Sequence, residues 1–320
     1  MAKCAEAIKK IGILPVINIT DTELAVPLAQ ALLSEGINVL EVTLRSDCSL
    51  EAINIIKQNY PQMVIGAGTV LEKENVDKAI LAGAEYIVMP GYDEEIVDYC
   101  IKNNIEVFPC CTTGAEIQNA YKKGLRVLKF FPAEQNGGIK AIELFAGAFK
   151  GLSFVPTGGI NFENLGEYLS SKAVAAVGGS FMANANMLKA KDFDAIRVAC
   201  KKAMDISLGF ELAHVGLNHE NADEAMKNTK KMAEIFRFDV LPGNSSNFSG
   251  NAVEFMKTPF YGEKGHIGYK TRSSFRALAY FEAKGYKVRQ ESIKRKPDGR
   301  VLAAYLEDEI GGFALHIVEK

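Results

Sequence analysis

The sequence predicts an α/β protein: a (β/α)8 (TIM) barrel followed by an α+β domain of paired βαβββ modules. Two observations predict the barrel. Short apolar runs alternate with amphipathic helical stretches over residues 12–205, and polar residues recur where those runs end. The second domain is predicted by a change of pattern near residue 210, beyond which all four histidines lie. The predicted domains are residues 1–207 and 208–320.

Eight apolar runs are the strand candidates of the barrel. They are nearly continuous, which is typical of parallel strands that are buried on both faces. The candidates are residues 12–18, 38–45, 63–70, 85–91, 105–111, 125–133, 152–160 and 173–180. Several helical stretches between them close on a glycine, as helix ends often do. A doubly wound sheet is the alternative, but no G-x-G-x-x-G motif follows the first run.

The composition argues against several classes of protein. The chain has 320 residues, of which 48% are hydrophobic, and its net charge is -2. It contains no basic block of the kind that binds nucleic acid. No apolar run approaches the length that spans a membrane, and the first residues contain no apolar signal region. Six cysteines without a C-x-x-C pair indicate reduced thiols, so we expect a cytoplasmic protein.

One lysine stands inside a run that should be a buried strand. Lys129 lies between two aliphatic and two aromatic residues in VLKFF. Burial disfavours a charged ammonium, and a neutral lysine amine is a nucleophile that forms Schiff bases with carbonyls. A lysine at the end of the strand would instead reach solvent or pair with Glu134. The residues alone leave these two interpretations level.

A second buried strand contains a glutamate and ends on an arginine. Glu41 lies in VLEVTLR, where a lone carboxylate is costly unless it is paired or titrates. We expect Lys129 and Glu41 on neighbouring barrel strands, as an amine nucleophile with its general acid/base or as a structural ion pair. Arg45, at the same strand end, suits bidentate binding of a carboxylate.

Two glycine clusters follow the seventh and eighth strand candidates. They are PTGGI, with Gly158 and Gly159, and VGGS, with Gly179 and the hydroxyl of Ser180. In barrels, backbone N–H groups of these two loops often hold a phosphate, although turns also use glycine pairs. This half of the chain has no histidine, so the sequence favours an imine mechanism over a metal-assisted enolate.

Five segments, taken in order, resemble one enzyme family. VLEVTLRS, GAGTV, LKFFPAE, PTGGI and VGGS, within residues 8–205, are similar to the 2-keto-3-deoxy-6-phosphogluconate (KDPG) and 4-hydroxy-2-oxoglutarate (KHG) aldolases. The resemblance implies a class I aldolase that needs no cofactor, since its lysine forms a covalent imine. It also implies a homotrimer that cleaves KDPG to pyruvate and glyceraldehyde 3-phosphate, or KHG to pyruvate and glyoxylate.

The same resemblance implies a role for each matching residue. Lys129 would form the Schiff base, and Glu41 would shuttle protons. The remaining residues would bind substrate: Arg45, Thr69 and Thr157 at the pyruvate end, Pro90 and Phe131 as an apolar wall, and Gly158, Gly159, Gly179 and Ser180 at the phosphate. The segment CCTTGAE departs from the family pattern at Cys110 and Cys111, which leaves the choice among KDPG, its galactonate epimer and KHG open.

The region after residue 210 contains an internal duplication. Two segments, AHVGLNHENADEAMKNTKKMAEIF and GHIGYKTRSSFRALAYFEAKGYKV, each open on histidine, continue into an amphipathic helix and precede strand-like runs. The pattern resembles the vicinal oxygen chelate superfamily, which includes glyoxalase I. That resemblance implies a divalent-metal site at His214, Glu254, His266 and His316, the last usually a glutamate. The alternative is a metal-free module that packs these histidines, and we expect His219 to be exposed.

Three functions are compatible with these patterns. The first is an aldolase with an accessory C-terminal domain. The second is a regulatory protein whose C-terminal domain binds a metabolite, and the third is a bifunctional enzyme with metal chemistry in that domain. The intact set of Lys129, Glu41 and Arg45 favours an active barrel. We expect a keto-acid substrate that carries a phosphate, with neither nucleic acid nor a membrane as a partner.

Overall fold

The computed structural model describes residues 3–320, and the chain divides into two compact units, Met1–Ser207 (unit 1) and Leu208–Lys320 (unit 2). The strands of unit 1 are β1 (Ile13–Ile17), β2 (Val39–Thr43), β3 (Val64–Gly68), β4 (Tyr86–Val88), β5 (Glu106–Phe108), β6 (Val127–Phe130), β7 (Ser153–Pro156) and β8 (Val177–Gly179). All their pairings are parallel. They coincide with the eight predicted runs.

These eight strands close into a barrel. Six of them pair in the order β5-β4-β3-β2-β1-β8, and β6 pairs with β7. Backbone bridges join Cys110 to Lys129 and Thr157 to Gly178, which connects the two groups of strands at both seams. The predicted (β/α)8 barrel is therefore confirmed, and the doubly wound alternative is wrong.

Helices connect the strands of unit 1. They are α1 (Lys3–Ile11), α2 (Ala25–Ser34), α3 (Ser49–Asn59), α4 (Lys73–Ala82), α5 (Glu94–Lys102), α6 (Gly114–Lys122), α7 (Gly138–Ala148), α8 (Leu165–Ser170), α9 (Ala185–Lys189) and α10 (Phe193–Leu208). Their ends follow local chemistry: Asp93 and Thr113 cap the first N–H groups of α5 and α6, and Gly83 ends α4 at a φ of +107°. None of the described helices is long and apolar enough to cross a membrane.

The barrel interior explains the glycines of β3. All five residues of this strand are buried. A Cβ atom on Gly66 would lie 2.0 Å from the ring of Tyr86, and one on Gly68 would lie 2.2 Å from Oε1 of Glu41. Glycine in a strand often marks such a close approach. β3 therefore leaves space inside the barrel for a buried tyrosine and a buried carboxylate.

Unit 2 is a mixed sheet with helices, and its element order repeats. The first half is β9 (Glu211–Leu217), α11 (Ala222–Phe236), β10 (Val240–Pro242), β11 (Ser246–Ser249) and β12 (Val253–Met256). The second half is β13 (Gly265–Thr271), α12 (Ser274–Ala283), β14 (Lys294–Arg295), β15 (Val301–Ile310) and β16 (Phe313–Glu319). Each half thus has one strand, one helix and three further strands.

The strand order of unit 2 places the two halves side by side. The eight strands follow the order β10-β11-β12-β9-β13-β16-β15-β14. At the centre, β9 and β13 are antiparallel, and each has the last strand of its own half as its parallel outer neighbour. The four predicted metal-site residues come from these four central strands, one from each. Neighbouring strands therefore bring together residues that are far apart in the sequence.

Candidate functional site

The interior of the barrel holds an ion pair. Nζ of Lys129 lies 2.9 Å from Oε1 of Glu41, and the two side chains are 9% and 1% exposed. The prediction that they lie on neighbouring strands is wrong, because three strands separate β2 from β6 in either direction around the barrel. The pair instead spans the interior, since inward-facing side chains of opposite strands meet in a closed barrel.

The other partners considered for Lys129 are excluded by its surroundings. Lys129 pairs with Glu41, whereas the carboxylate of Glu134 accepts a hydrogen bond from the hydroxyl of Tyr168. Its own burial keeps the ammonium away from bulk solvent. Two interpretations of Lys129 and Glu41 remain, a structural ion pair and a nucleophile with its general acid/base. The distance between the two side chains is compatible with both.

A cavity of about 770 Å³ lies at the carboxyl ends of the strands. This volume is typical of small-molecule sites, and in barrels the chemistry takes place at this end. Its lining includes seven of the predicted substrate-binding residues, namely Arg45, Phe131, Thr157, Gly158, Gly159, Gly179 and Ser180. Nζ of Lys129 is 5.9 Å from the centroid of the Phe131 ring, which places the amine close to this lining.

Thr157 supplies a polar atom without a partner. Its Oγ1 atom is buried and has no hydrogen-bond partner among the described residues. A Cβ on Gly178 would lie 2.3 Å from this oxygen, so the glycine makes its position possible. Buried polar groups are almost always hydrogen-bonded. A ligand in the cavity would satisfy this hydroxyl.

Arg45 is anchored by one nitrogen and exposed at the others. Its Nε atom donates a hydrogen bond to Oγ1 of Thr69 at 3.3 Å. Thr69 adopts a φ of +60°, a strained conformation that tends to occur at functional sites. This contact orients the guanidinium, whose terminal N–H groups suit a carboxylate.

Pro90 is not among the residues that line the cavity. It is exposed, and its role as an apolar wall stays a prediction. Gly158 and Gly159 do line the cavity, but their φ values of +95° and +80° also require glycine for the turn itself. A phosphate and a tight turn would therefore both explain them.

The two adjacent cysteines near β6 are inert. Cys110 and Cys111 are 3% and 0% exposed. Burial raises the pKa of the Cys110 thiol, although Lys129 opposes the shift, and burial also raises the pKa of Cys111. Since the thiolate is the reactive form, neither cysteine is a nucleophile near neutral pH.

Some cavity residues carried no signal in the sequence. Asn18, Thr20 and Asp21 follow β1, and Lys189 and Lys191 belong to the segment after β8. Nζ of Lys191 pairs with Glu23 at 2.7 Å. These residues lie in loops and helix ends, where no apolar period or motif marks them, so only the cavity identifies them.

Three of the four predicted metal-site residues of unit 2, the histidines, converge on one point, and the fourth, Glu254, lies beside two of them. Nε2 of His214 lies 3.1 Å from Nε2 of His266 and 3.1 Å from Nε2 of His316. Oε2 of Glu254 lies 3.0 Å from Nε2 of His266 and 3.3 Å from Nε2 of His214. Three imidazole nitrogens and one carboxylate oxygen are a donor set that zinc, nickel and iron accept.

The environment keeps two of these histidines, His214 and His316, in the form that binds metals. Burial lowers the pKa of His214, and burial together with the two other rings lowers the pKa of His316 to about 3. Neutral imidazole is the ligand form of histidine. The Nδ1 atoms of His266 and His316 are buried without a hydrogen-bond partner within residues 3–320.

Two glycines that the sequence interpretation missed make room for the cluster. A Cβ on Gly216 would lie 2.1 Å from Cε1 of His266, and one on Gly268 would lie 2.5 Å from Nε2 of His316. The sequence contains a signal for these glycines, the His-x-Gly motif that opens each half. In both halves the glycine follows its histidine by two residues, so the two lie on the same face of the strand.

The expectation that His219 is exposed is wrong. It is half-buried rather than exposed. Its Nδ1 atom lies 3.1 Å from the carbonyl oxygen of Leu217, and its ring packs against Phe255. His219 is thus held locally, apart from the three histidines that converge.

Comparison with known proteins identifies unit 1. Residues 4–199 match the family model for KDPG and KHG aldolase. A 2-dehydro-3-deoxy-phosphogluconate aldolase from Dickeya dadantii is 41% identical over 201 residues, which cover 62% of this chain and 94% of that protein.

Two solved structures are also similar. A KDPG aldolase from Legionella pneumophila, with pyruvate captured as a covalent carbinolamine, has a TM-score of 0.61 and 34% identity over 62% of this chain and 97% of that one. The aldolase of Zymomonas mobilis with 3-phosphoglycerate has a TM-score of 0.61 and 35% identity over 64% and 97%. The chain therefore belongs to the KDPG and KHG aldolase family of carbon–carbon lyases.

Proposed function

We propose that unit 1 is a Schiff-base aldolase that cleaves KDPG to pyruvate and glyceraldehyde 3-phosphate, and KHG to pyruvate and glyoxylate. The observation that carries the proposal is the buried Lys129–Glu41 pair close to a cavity of suitable size. The carbinolamine of the Legionella relative supports a covalent step with pyruvate.

The geometry supports a two-residue mechanism. Glu41 is within reach to take a proton from Lys129, whose amine then attacks the C2 carbonyl of the substrate. Glu41 returns that proton to the hydroxyl of the carbinolamine, which leaves as water and gives a protonated imine that accepts electrons. Glu41, through a water, removes the proton of the C4 hydroxyl, and the C3–C4 bond breaks to release the aldehyde. The enamine is protonated at C3, and hydrolysis of the imine frees pyruvate and Lys129.

The lining of the cavity supports the proposed binding roles. The guanidinium of Arg45, held by Thr69, and the unsatisfied hydroxyl of Thr157 are suitable donors for the carboxylate of the keto acid. Phe131 offers an apolar surface. The loops after β7 and β8 would hold the phosphate, and the Zymomonas relative with 3-phosphoglycerate supports a phosphorylated ligand.

A homotrimer is proposed from the family resemblance alone, and a light-scattering mass of one chain would overturn it.

Ser180→Ala should weaken KDPG more than KHG, because only KDPG carries a phosphate for this hydroxyl. We expect KM for KDPG to rise about tenfold, the value of one hydrogen bond to a charged group, with KM for KHG unchanged. Steady-state assays of pyruvate release with both substrates, and with the galactonate epimer, test this. Ser34→Ala, on α2 outside the cavity lining, is the control. An equal rise for KDPG and KHG would contradict the phosphate assignment.

We propose as a second function that unit 2 is a paired βαβββ module of the vicinal oxygen chelate type that holds a divalent metal. The repeated strand–helix–three-strand order supports the module type. The convergence of His214, His266, His316 and Glu254 supports the metal. The residues fit the ion, because they present three imidazole nitrogens and a neighbouring carboxylate oxygen. A bound divalent ion would supply Lewis-acid chemistry there.

The full chain should take up about one equivalent of Zn²⁺, Ni²⁺ or Fe²⁺ per chain, as three grouped histidines with a neighbouring carboxylate predict. Metal analysis after dialysis measures this. His266→Ala should lose the metal, while His219→Ala, outside the cluster, should keep it. Pyruvate release by unit 1 should be the same in both variants. Less than about a tenth of an equivalent in the unmodified chain would show that the histidines are only packed residues.

A further inference from the structure

We propose that Ser246 is a positioning residue of the unit 2 metal site, where it holds Glu254 so that only one carboxylate oxygen faces the ion. This inference rests on the metal site proposed above. It concerns a residue that no motif marked and that contacts Glu254 through its side-chain hydroxyl.

The contact between the two side chains is short and shielded. Oγ of Ser246 donates a hydrogen bond to Oε1 of Glu254 at 2.5 Å. Ser246 is 6% exposed, so water competes little for this bond. Hydrogen bonds from a hydroxyl to a carboxylate are among the strong ones in proteins. The bond therefore restrains rotation of the carboxylate.

The register of the sheet explains why these residues meet. β11 and β12 are antiparallel, with Phe248 opposite Glu254 and Ser246 opposite Met256. Ser246 is thus the diagonal neighbour of Glu254 on the same face, within reach of a long side chain. Phe248 packs edge-on against His214, which closes the same face of the cluster.

The two oxygens of Glu254 have separate partners. Oε1 accepts the bond from Ser246, and Oε2 lies 3.0 Å from Nε2 of His266 and 3.3 Å from Nε2 of His214. Without Ser246, either oxygen could turn towards the histidines or away from them. Ordering the carboxylate before the ion arrives reduces the entropy that metal binding costs. Outer partners of this kind typically change metal affinity by about 10–100-fold.

The test compares three variants of the full chain. Ser246→Ala removes the hydroxyl, and Ser246→Thr keeps it. Ser249→Ala is the matched control, because Ser249 is on the same strand, is also buried and lies on the opposite face. Competition against a chelator measures the affinity for Zn²⁺, and the visible spectrum of the Co²⁺-loaded protein reports the donor set. The thermal midpoint without metal reports any purely structural effect.

We expect Ser246→Ala to lower Zn²⁺ affinity about 10–100-fold and to alter the Co²⁺ spectrum. Ser246→Thr should recover most of the affinity, and Ser249→Ala should bind as the unmodified chain does. Equal affinity in Ser246→Ala and Ser249→Ala would overturn the role of Ser246 while leaving the metal site intact. An unmodified chain that binds neither ion would overturn the metal site and the role of Ser246 together.

Discussion

Lys129→Ala should abolish the trapping of pyruvate by borohydride and reduce aldol cleavage to the uncatalysed rate. The amine is the only atom in the proposed mechanism that bonds to substrate, and alanine has nothing to replace it. Mass spectrometry of the borohydride-treated protein, with peptide mapping, locates the adduct in the unmodified chain. Pyruvate release measures turnover. A Lys129→Ala protein that still traps pyruvate or turns over would refute the Schiff-base assignment.

Folding must be separated from chemistry in this experiment. Removing Lys129 leaves the 1%-exposed carboxylate of Glu41 without its partner, and an unpaired buried charge costs about 3–5 kcal/mol. The double variant Lys129→Ala/Glu41→Gln removes that charge and should recover stability but no activity. Lys57→Ala is a matched control, because Lys57 also forms an ion pair, with Glu85 at 2.6 Å, outside the cavity lining. It should trap pyruvate as the unmodified chain does.

Glu41→Gln should lower kcat by about 10²–10⁴-fold, the usual contribution of a general acid or base, while pyruvate trapping on Lys129 persists. The amide keeps the shape of the carboxylate and can still hydrogen-bond to the amine, but it cannot accept the proton of the C4 hydroxyl. Single-turnover measurements of imine formation and of cleavage separate the two steps.

The same variant separates the two functions that the geometry of the ion pair permits. If Glu41 only stabilises the fold, Glu41→Gln should lower the free energy of unfolding and leave kcat nearly unchanged. Glu85→Gln, in the Lys57–Glu85 pair, shows how much stability such a substitution costs away from the cavity. A normal kcat in Glu41→Gln would show that the Lys129–Glu41 pair has only a structural role.

Local patterns in the sequence predicted the strands of the barrel. They also predicted at which end each strand carries polar residues. Continuous apolar runs have a length and a period that single segments reveal, so β2 and β3 could be placed without a structure. Parallel strands that are followed by helices then put all their carboxyl ends on one side of the barrel. Arg45, Thr157 and Ser180 were found in this way, and all three line the cavity.

The two histidines that open the halves of unit 2 were predictable for a different reason. A duplicated segment shows equivalent positions twice, so His214 and His266 stand out as a pair within one chain. Ser246 has no such counterpart in a motif, and its role depends on a diagonal contact across β11 and β12. Pairing register is a property of two strands together, which neither strand encodes alone.

By itself, the sequence determined the barrel, the strand that carries Lys129 and the residues that flank each strand end, because the spacing of apolar residues is a local property. Only the tertiary structure decided that Glu41 reaches Lys129 from the opposite wall, and that Asn18 and Lys189 face the same cavity. Closure of the barrel brings together side chains that are 88 residues apart. Such a contact depends on where every intervening strand lies, and no local pattern records that.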